Sequence, residues 1–328
     1  MRRLTLAGVL LCFTVVVLGA YVRLSAAGLG CPDWPGCYGH LTPSGALQAH
    51  AAHYGGRPLE PGKAWREMIH RYAAGTLALI IVAIAALAVG TRRSRIVSPA
   101  LAIALLATVA VQALLGMLTV TWLLKPLTVT LHLLFGMTTL ALLWWLMLSL
   151  RAGAWSDTPR GGLSGEAAAR RLTFLALALV AGQIALGGWT SSNYAAVACP
   201  DLPRCQGRWW PHADFGDAFV LWRGARIDYE GGVLSNPARI AIHLTHRIGA
   251  VATSAALVLA AVFVLRRRTL AAAGPRAWAV LAALALQLTI GAAMVLRGFP
   301  LWLATAHTAG AALLLLATLA LVRSLSPR

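Results

Sequence analysis

Glu67 and His70 stand three residues apart in Trp65-Arg66-Glu67-Met68-Ile69-His70-Arg71-Tyr72, at the head of a long apolar run. On a helix that spacing puts the carboxylate and the imidazole on one face. Both would lie just inside a membrane, where ionisable groups are costly and tend to mark function. About 176 residues later the chain reads Ile242-His243-Leu244-Thr245-His246-Arg247-Ile248. The His-Arg pair recurs, but His243 stands where the first copy has Glu67. Two further histidines, His132 and His307, fall in later apolar runs at a matching offset.

Each of these four histidines sits roughly six to eight residues from the outer end of its run, about 10 Å deep at 1.5 Å per residue. A porphyrin iron takes two axial imidazoles from facing helices, and helix-bundle interiors are where such sites are built. The pattern predicts one bis-histidine heme site per half: His70 with His132, and His246 with His307. One membrane histidine alone would read as an interhelical hydrogen bond. Four at one depth, repeated by half, favour iron. Zinc would want further ligands, and none recurs at this depth.

Glu67 needs a partner or a role at such a position. It could take a proton, hold a water, or stabilise positive charge on a substrate bound at His70. The alternative is an ion pair with Arg66, Arg71 or an outer-loop arginine. The second half has no carboxylate there, which points to a reactive site in the first half and an electron-handling site in the second. Arg71 and Arg247 each follow a candidate ligand and are candidates to bind heme propionates, with snorkelling to lipid headgroups as the other reading. Gly19 and Gly187, Gly75 and Gly249, Gly116 and Gly291, and Gly136 and Gly310 occupy corresponding runs. They would admit a flat macrocycle or simply allow close helix packing.

The elements that must position these groups are membrane helices. The chain has 328 residues, 59% hydrophobic and 12% charged, against about 25% charged in soluble proteins. Apolar runs of roughly 20 residues recur, each long enough to span a bilayer. Short alternating strands, the mark of a β-barrel, do not. The expected fold is an all-α polytopic membrane protein with eight spans, at about 4–23, 64–90, 98–120, 127–150, 171–190, 239–265, 276–296 and 300–322. The first run lacks an Ala-x-Ala exit and reads as a span, not a cleaved signal.

The net charge of +18 does not indicate nucleic acid, because the arginines fall largely in short loops between apolar runs. Arg2 and Arg3, Arg92, Arg93 and Arg95, Arg151, Arg160, Arg170 and Arg171, Arg266, Arg267, Arg268 and Arg276, and Arg323 and Arg328 all fall on one side of eight spans. By the positive-inside rule that side is cytoplasmic and holds both termini. The long loops 24–63 and 191–238 then face outward. Trp65, Trp122, Trp189, Trp209, Trp210 and Trp302 lie near outer span ends, as an aromatic belt would.

The two halves repeat. Cys31-x5-Cys37 matches Cys199-x5-Cys205, Glu67-x-x-His70-Arg71 matches His243-x-x-His246-Arg247, Gln112-x-x-x-Gly116 matches Gln287-x-x-x-Gly291, and His132 matches His307. The chain divides into a half at 1–150, a linker at 151–170 and a half at 171–328. Four spans per half predict two four-helix bundles related by a pseudo-twofold along the membrane normal. The outward compartment is oxidising, which favours structural disulfides Cys31–Cys37 and Cys199–Cys205; redox-active pairs stay open. Cys12 reads as a packing residue. His40, His50, His53 and His212 read as loop surface residues.

These features together resemble the heme A synthase family over essentially the whole chain. The match rests on the eight spans in two halves, Glu67-Met68-Ile69-His70-Arg71, His132, His246-Arg247, His307 and the Cys31/Cys37 loop. The resemblance implies oxidation of the C8 methyl of heme O to a formyl group, giving heme A for terminal oxidases. It implies two hydroxylations of that methyl followed by loss of water. It places the heme O substrate on His70 and His132 and a heme b cofactor on His246 and His307. It makes Glu67 the essential carboxylate and matches Cys31 and Cys37 to the family's loop pair; only some members have a counterpart of Cys199 and Cys205. It implies a bacterial inner membrane, heme O synthase upstream, an electron acceptor that stays unidentified, and lipid as surroundings; a homo-oligomer stays open. A diheme quinol-linked cytochrome b would use the same histidines without needing Glu67. A heme-handling transporter would use the two halves as donor and acceptor sites.

Overall fold

The computed structural model describes residues 1–48, 58–90, 99–152, 165–224 and 227–326. His50, His53, Arg92, Arg93, Arg95, Arg160 and Arg328, with most of the 151–170 linker, lie outside the described residues. Eight helices among them are long and apolar enough to cross a membrane. They are α1 (Arg2–Leu24), α2 (Pro61–Gly90), α3 (Pro99–Thr121), α4 (Pro126–Ala152), α5 (Glu166–Ser192), α6 (Asn236–Leu265), α7 (Gly274–Leu296) and α8 (Leu301–Leu325). At 23 to 30 residues each, they run about 34 to 45 Å, enough for a hydrocarbon core of about 30 Å. Prolines open several of them, at positions where the missing N–H costs nothing.

The eight expected spans are all present, with ends shifted by a few residues. Two expectations change. The helix α5 starts earlier than expected, so that Glu166 falls in its first turn. Trp189 is no belt residue: it is buried and its indole N–H donates to the Ala218 carbonyl at 2.9 Å. Trp65, Trp122, Trp209, Trp210 and Trp302 are exposed, as a belt requires.

The helices pack in the same order in both halves. In the first, α1 packs on α2 and α4, and α3 on α2 and α4; in the second, α5 packs on α6 and α8, and α7 on α6 and α8. Between the halves α1 meets α8, α4 meets α5, and α4 meets α8. The first two of those contacts exchange under the sequence repeat, as a twofold would require. Of the eight, α8 is the most buried, at 56% of its apolar window, and α7 the least, at 17%, which places α8 at the junction. There the Trp144 indole of α4 donates to the Leu316 carbonyl of α8 at 3.0 Å. One apolar core draws residues from all eight helices, among them Val9, Ile81, Leu105, Leu140, Val180, Leu257, Val280 and Leu315.

The repeat extends to turns. The two-helix corner between α3 and α4 has positive φ at Leu123 and Leu124, and that between α7 and α8 at Gly298 and Phe299. Such backbone is uncommon for non-glycine residues; the reversal between adjacent helices imposes it twice. The second long loop also reaches over the first half. Lys125 Nζ donates to the Gly224 carbonyl at 2.8 Å and lies 2.9 Å from the Trp222 ring centroid. Tyr229 N–H donates to the Leu123 carbonyl at 3.1 Å. Burial lowers the Lys125 ammonium pKa from its ordinary value, a cost the cation–π contact offsets.

Candidate functional site

Each of the four histidines lies against a glycine of the neighbouring helix. A Cβ added to Gly19 of α1 would fall 2.9 Å from Cε1 of His70, on α2. The corresponding distances are 3.3 Å from Gly116 of α3 to His132 of α4, 3.3 Å from Gly187 of α5 to His246 of α6, and 3.0 Å from Gly291 of α7 to His307 of α8. Four imidazoles thus sit in four equivalent notches. Charge on one ring would be felt between His70 and His132 and between His246 and His307, as between His243 and His246. All four rings are half-buried.

Nδ1 of His70, His132 and His307 is buried with no hydrogen-bond partner. Buried polar atoms in native folds are nearly always satisfied; imidazoles with unmet hydrogen bonding in glycine-cleared notches fit a bound group that takes one ring nitrogen and leaves the other to the protein, and His243 Nδ1 is likewise bare outside those notches. Among the described residues no three His, Cys, Asp or Glu side chains converge on a metal position. His70 with His132, and His246 with His307, are the residues that would hold heme, which needs no third side-chain ligand.

Glu67 is buried, at 4% exposure. Its Oε2 accepts the Cys31 N–H at 2.8 Å and its Oε1 pairs with Arg71 Nη2 at 2.5 Å. Arg71 Nη1 donates to the carbonyls of Asp33 at 2.8 Å, Pro35 at 3.3 Å and Gly36 at 2.5 Å. Glu67 and Arg71 together hold the Cys31–Cys37 loop on the end of α2. The ion-pair alternative for Glu67 is realised with Arg71, and not with Arg66. A carboxylate has about four acceptor positions, so these two contacts leave it with capacity.

In the second half Arg247 makes the corresponding contacts to the disulfide loop. Its Nη1 donates to the Arg204 carbonyl at 2.8 Å, and its Nη2 to those of Cys199 at 3.0 Å and Asp201 at 2.9 Å. His243 stands in the place of Glu67, buried, edge-on to Phe299 with centroids 6.5 Å apart. The structure thus gives both arginines, expected at propionates, loop carbonyls as partners.

Both loops close with disulfides, Cys31–Cys37 and Cys199–Cys205, as expected, and Cys12 is a buried free thiol. In each loop an aspartate staples the turn: Asp33 accepts from Tyr38 and Gly39 N–H, and Asp201 from Gln206 and Gly207 N–H. The Gly207 N–H foremost holds the Asp201 carboxyl below its ordinary pKa. His212 is exposed, as expected of a surface residue, whereas His40 is half-buried and its backbone pairs with Cys37.

The glutamines were legible only as markers of the repeat. Gln183 Nε2 lies 3.1 Å from His246 Nδ1 and donates to the His246 carbonyl at 2.9 Å. Gln287 Nε2 lies 3.3 Å from His307 Nε2. A polar residue four before a glycine, inside an apolar run, is the pattern that would have found Gln183.

A family model described as cytochrome oxidase assembly protein, COX15-CtaA, matches residues 2–319. A heme A synthase of Shewanella oneidensis is 42% identical over 322 residues, covering 96% of this chain and 92% of that protein. A heme A synthase of Caulobacter vibrioides is 31% identical over 191 residues, 58% of this chain and 50% of that protein. The matched span takes in both histidine pairs, both docked loops and Glu67, so the whole arrangement described above lies within it: the chain belongs to the COX15-CtaA cytochrome oxidase assembly protein family.

Proposed function

We propose that this chain is a heme A synthase, an oxidoreductase that converts the C8 methyl of heme O to a formyl group. The observation that carries the reading is the doubled histidine pair with one asymmetry: a buried carboxylate, Glu67, beside one pair and an imidazole, His243, beside the other. Two identical redox sites would not need that difference. A site that performs chemistry and a site that passes electrons would.

His70 and His132 bind the heme O substrate. His246 and His307 would hold heme b, which when bound supplies one-electron transfer. Their notch glycines let the rings approach without a side chain between. Arg71 and Arg247, which anchor the two loops, keep positive charge at the end of each site where anionic propionates belong. Turning a methyl into an aldehyde adds an oxygen and removes electrons and protons from the porphyrin edge, the electrons going to an acceptor outside the chain. Glu67, one turn from His70 on the same face, is placed to accept such a proton or to hold the attacking water. The docked Cys31–Cys37 loop shields it from bulk water, which strengthens its electrostatics. The sites lie toward the disulfide-bearing outer face of a bacterial inner membrane, with both termini on the cytoplasmic side, and heme O synthase is the upstream supplier.

The test is the pigment bound to the purified chain. Heme O or heme A beside heme b is expected; heme b alone would favour a diheme electron carrier and contradict the synthase reading. A sharper variant is Gly19→Ala. Its Cβ would press on the His70 ring, which must move by a few tenths of an ångström. Heme A yield should drop severalfold in extracted membranes while heme b content is unchanged. Equal loss of both hemes would contradict the assignment of His70 to a separate site.

A further inference from the structure

The notch glycines carry a second pattern. On three of the four helices that face a site histidine, a glutamine stands four residues before the glycine: Gln112 before Gly116, Gln183 before Gly187, and Gln287 before Gly291. On the fourth helix, α1, the position before Gly19 is Val15, which is buried. Three amides therefore lie one turn from the ring notch, and His70 alone has none.

Gln183 touches the His246 ring and backbone, and Gln287 touches the His307 ring. Gln112 packs against α4 one turn beyond His132, where a Cβ on Gly136 would fall 2.8 Å from its Nε2. Gln183 and Gln287 fill the matching places at Gly249 and Gly310. In all three the Oε1 atom is buried with no hydrogen-bond partner.

We propose that the three glutamines are positioning residues for the heme ligands His132, His246 and His307, and that His70, which lacks one, is the weakly held ligand through which the first-half heme exchanges. The proposal rests on the functional reading above. A neutral imidazole that gives Nε2 to iron carries its proton on Nδ1. That N–H needs an acceptor, which fixes the ring and raises its basicity. A glutamine offers one in its unpartnered Oε1, and the terminal amide torsion is broad enough to present either end. At His246 the Gln183 Nε2 serves the bare Nδ1, and its Oε1 would serve it once Nδ1 carries the proton; at His307 the Gln287 amide stands at Nε2 and would turn to Nδ1 when iron takes Nε2. Nδ1 of His70, His132 and His307 is without a partner here; a glutamine stands one turn from the notch of the last two, whereas beside His70 the buried Val15 offers neither donor nor acceptor.

The consequence is a difference between the two halves. The second-half heme has two backed ligands and is retained as a cofactor. The first-half heme has one backed and one unbacked ligand, which suits a molecule that must enter as substrate and leave as product.

The test uses the full chain purified with its hemes, comparing Gln183→Leu, Gln183→Glu and Val15→Gln with the parent. Heme b retention on dilution and its midpoint potential are measured, with the release rate of the first-half heme. Gln183→Leu should weaken heme b retention by about 10- to 100-fold and raise the midpoint potential, because a less basic ligand favours ferrous iron. Gln183→Glu should restore retention and lower the potential below the parent's. Val15→Gln should slow first-half heme release by about tenfold or more and leave heme b unchanged. Parental retention and potential in Gln183→Leu would overturn the positioning role. Should that variant fail to fold, a potential in Gln183→Glu at or above the parent's overturns it instead. Unchanged release in Val15→Gln would overturn the exchange role of His70. A parent protein with no heme b would overturn the functional reading, and not this inference alone.

Discussion

Glu67→Ala is expected to abolish heme A formation, by at least about 100-fold if the group moves a proton, while heme remains bound. The histidines that would hold the hemes do not depend on Glu67 for any contact; its oxygens reach the Cys31 N–H and Arg71. Removing it does unpair a buried ion contact, which costs about 3–5 kcal/mol where the remaining charge is left uncompensated. Here Arg71 keeps three loop carbonyls, so the loss should fall at the low end. Glu67→Gln separates chemistry from loop docking. The amide still accepts from Cys31 but cannot take a proton or balance Arg71. Inactivity in both variants, with the loop still docked by hydrogen-exchange protection of Cys31, assigns the carboxylate to the reaction. An active Glu67→Gln would assign Glu67 to holding the loop.

The second large effect is on the other half. His246→Ala or His307→Ala should strip heme b almost completely and end heme A formation with it. Each would remove one of the two ligands proposed for heme b, and the notch glycines Gly187 and Gly291 offer no replacement donor. His70→Ala and His132→Ala should leave heme b content near the parent level while heme O and heme A are lost from the protein. Extracted pigments distinguish the two patterns in one chromatogram. Unchanged heme b in both second-half variants would sink the cofactor assignment.

The apolar runs made the helices legible, because length and hydropathy decide what crosses a bilayer. The repeat made the four histidines legible as a set, because His70 and His132 recur in the second half as His246 and His307. The partners of Glu67 and of the two arginines were not legible as such. They are backbone groups of distant loops, and a backbone N–H or carbonyl has no signature in the residue letters. Trp189 looked like a belt residue for the same reason: its position at a span end was visible, but the Ala218 carbonyl that receives its N–H was not. The Gln183 contact was hidden by chemistry, since a glutamine in an apolar run reads as a packing exception until its neighbour on α6 is known. The reach of Lys125 to Gly224 and Trp222 depends on how one half's loop lies over the other half, which no local pattern encodes.

The central claim is that one buried carboxylate beside a histidine-bound heme O makes this chain an oxidase of that heme. The direct measurement is the heme content of membranes from cells that make heme O and no heme A of their own, expressing either the parent chain or Glu67→Gln. The account predicts heme A with the parent, and heme O with no heme A in the variant, at equal levels of heme b-loaded protein. Heme A at the parent level in the variant, or its absence with a fully loaded parent, would contradict it.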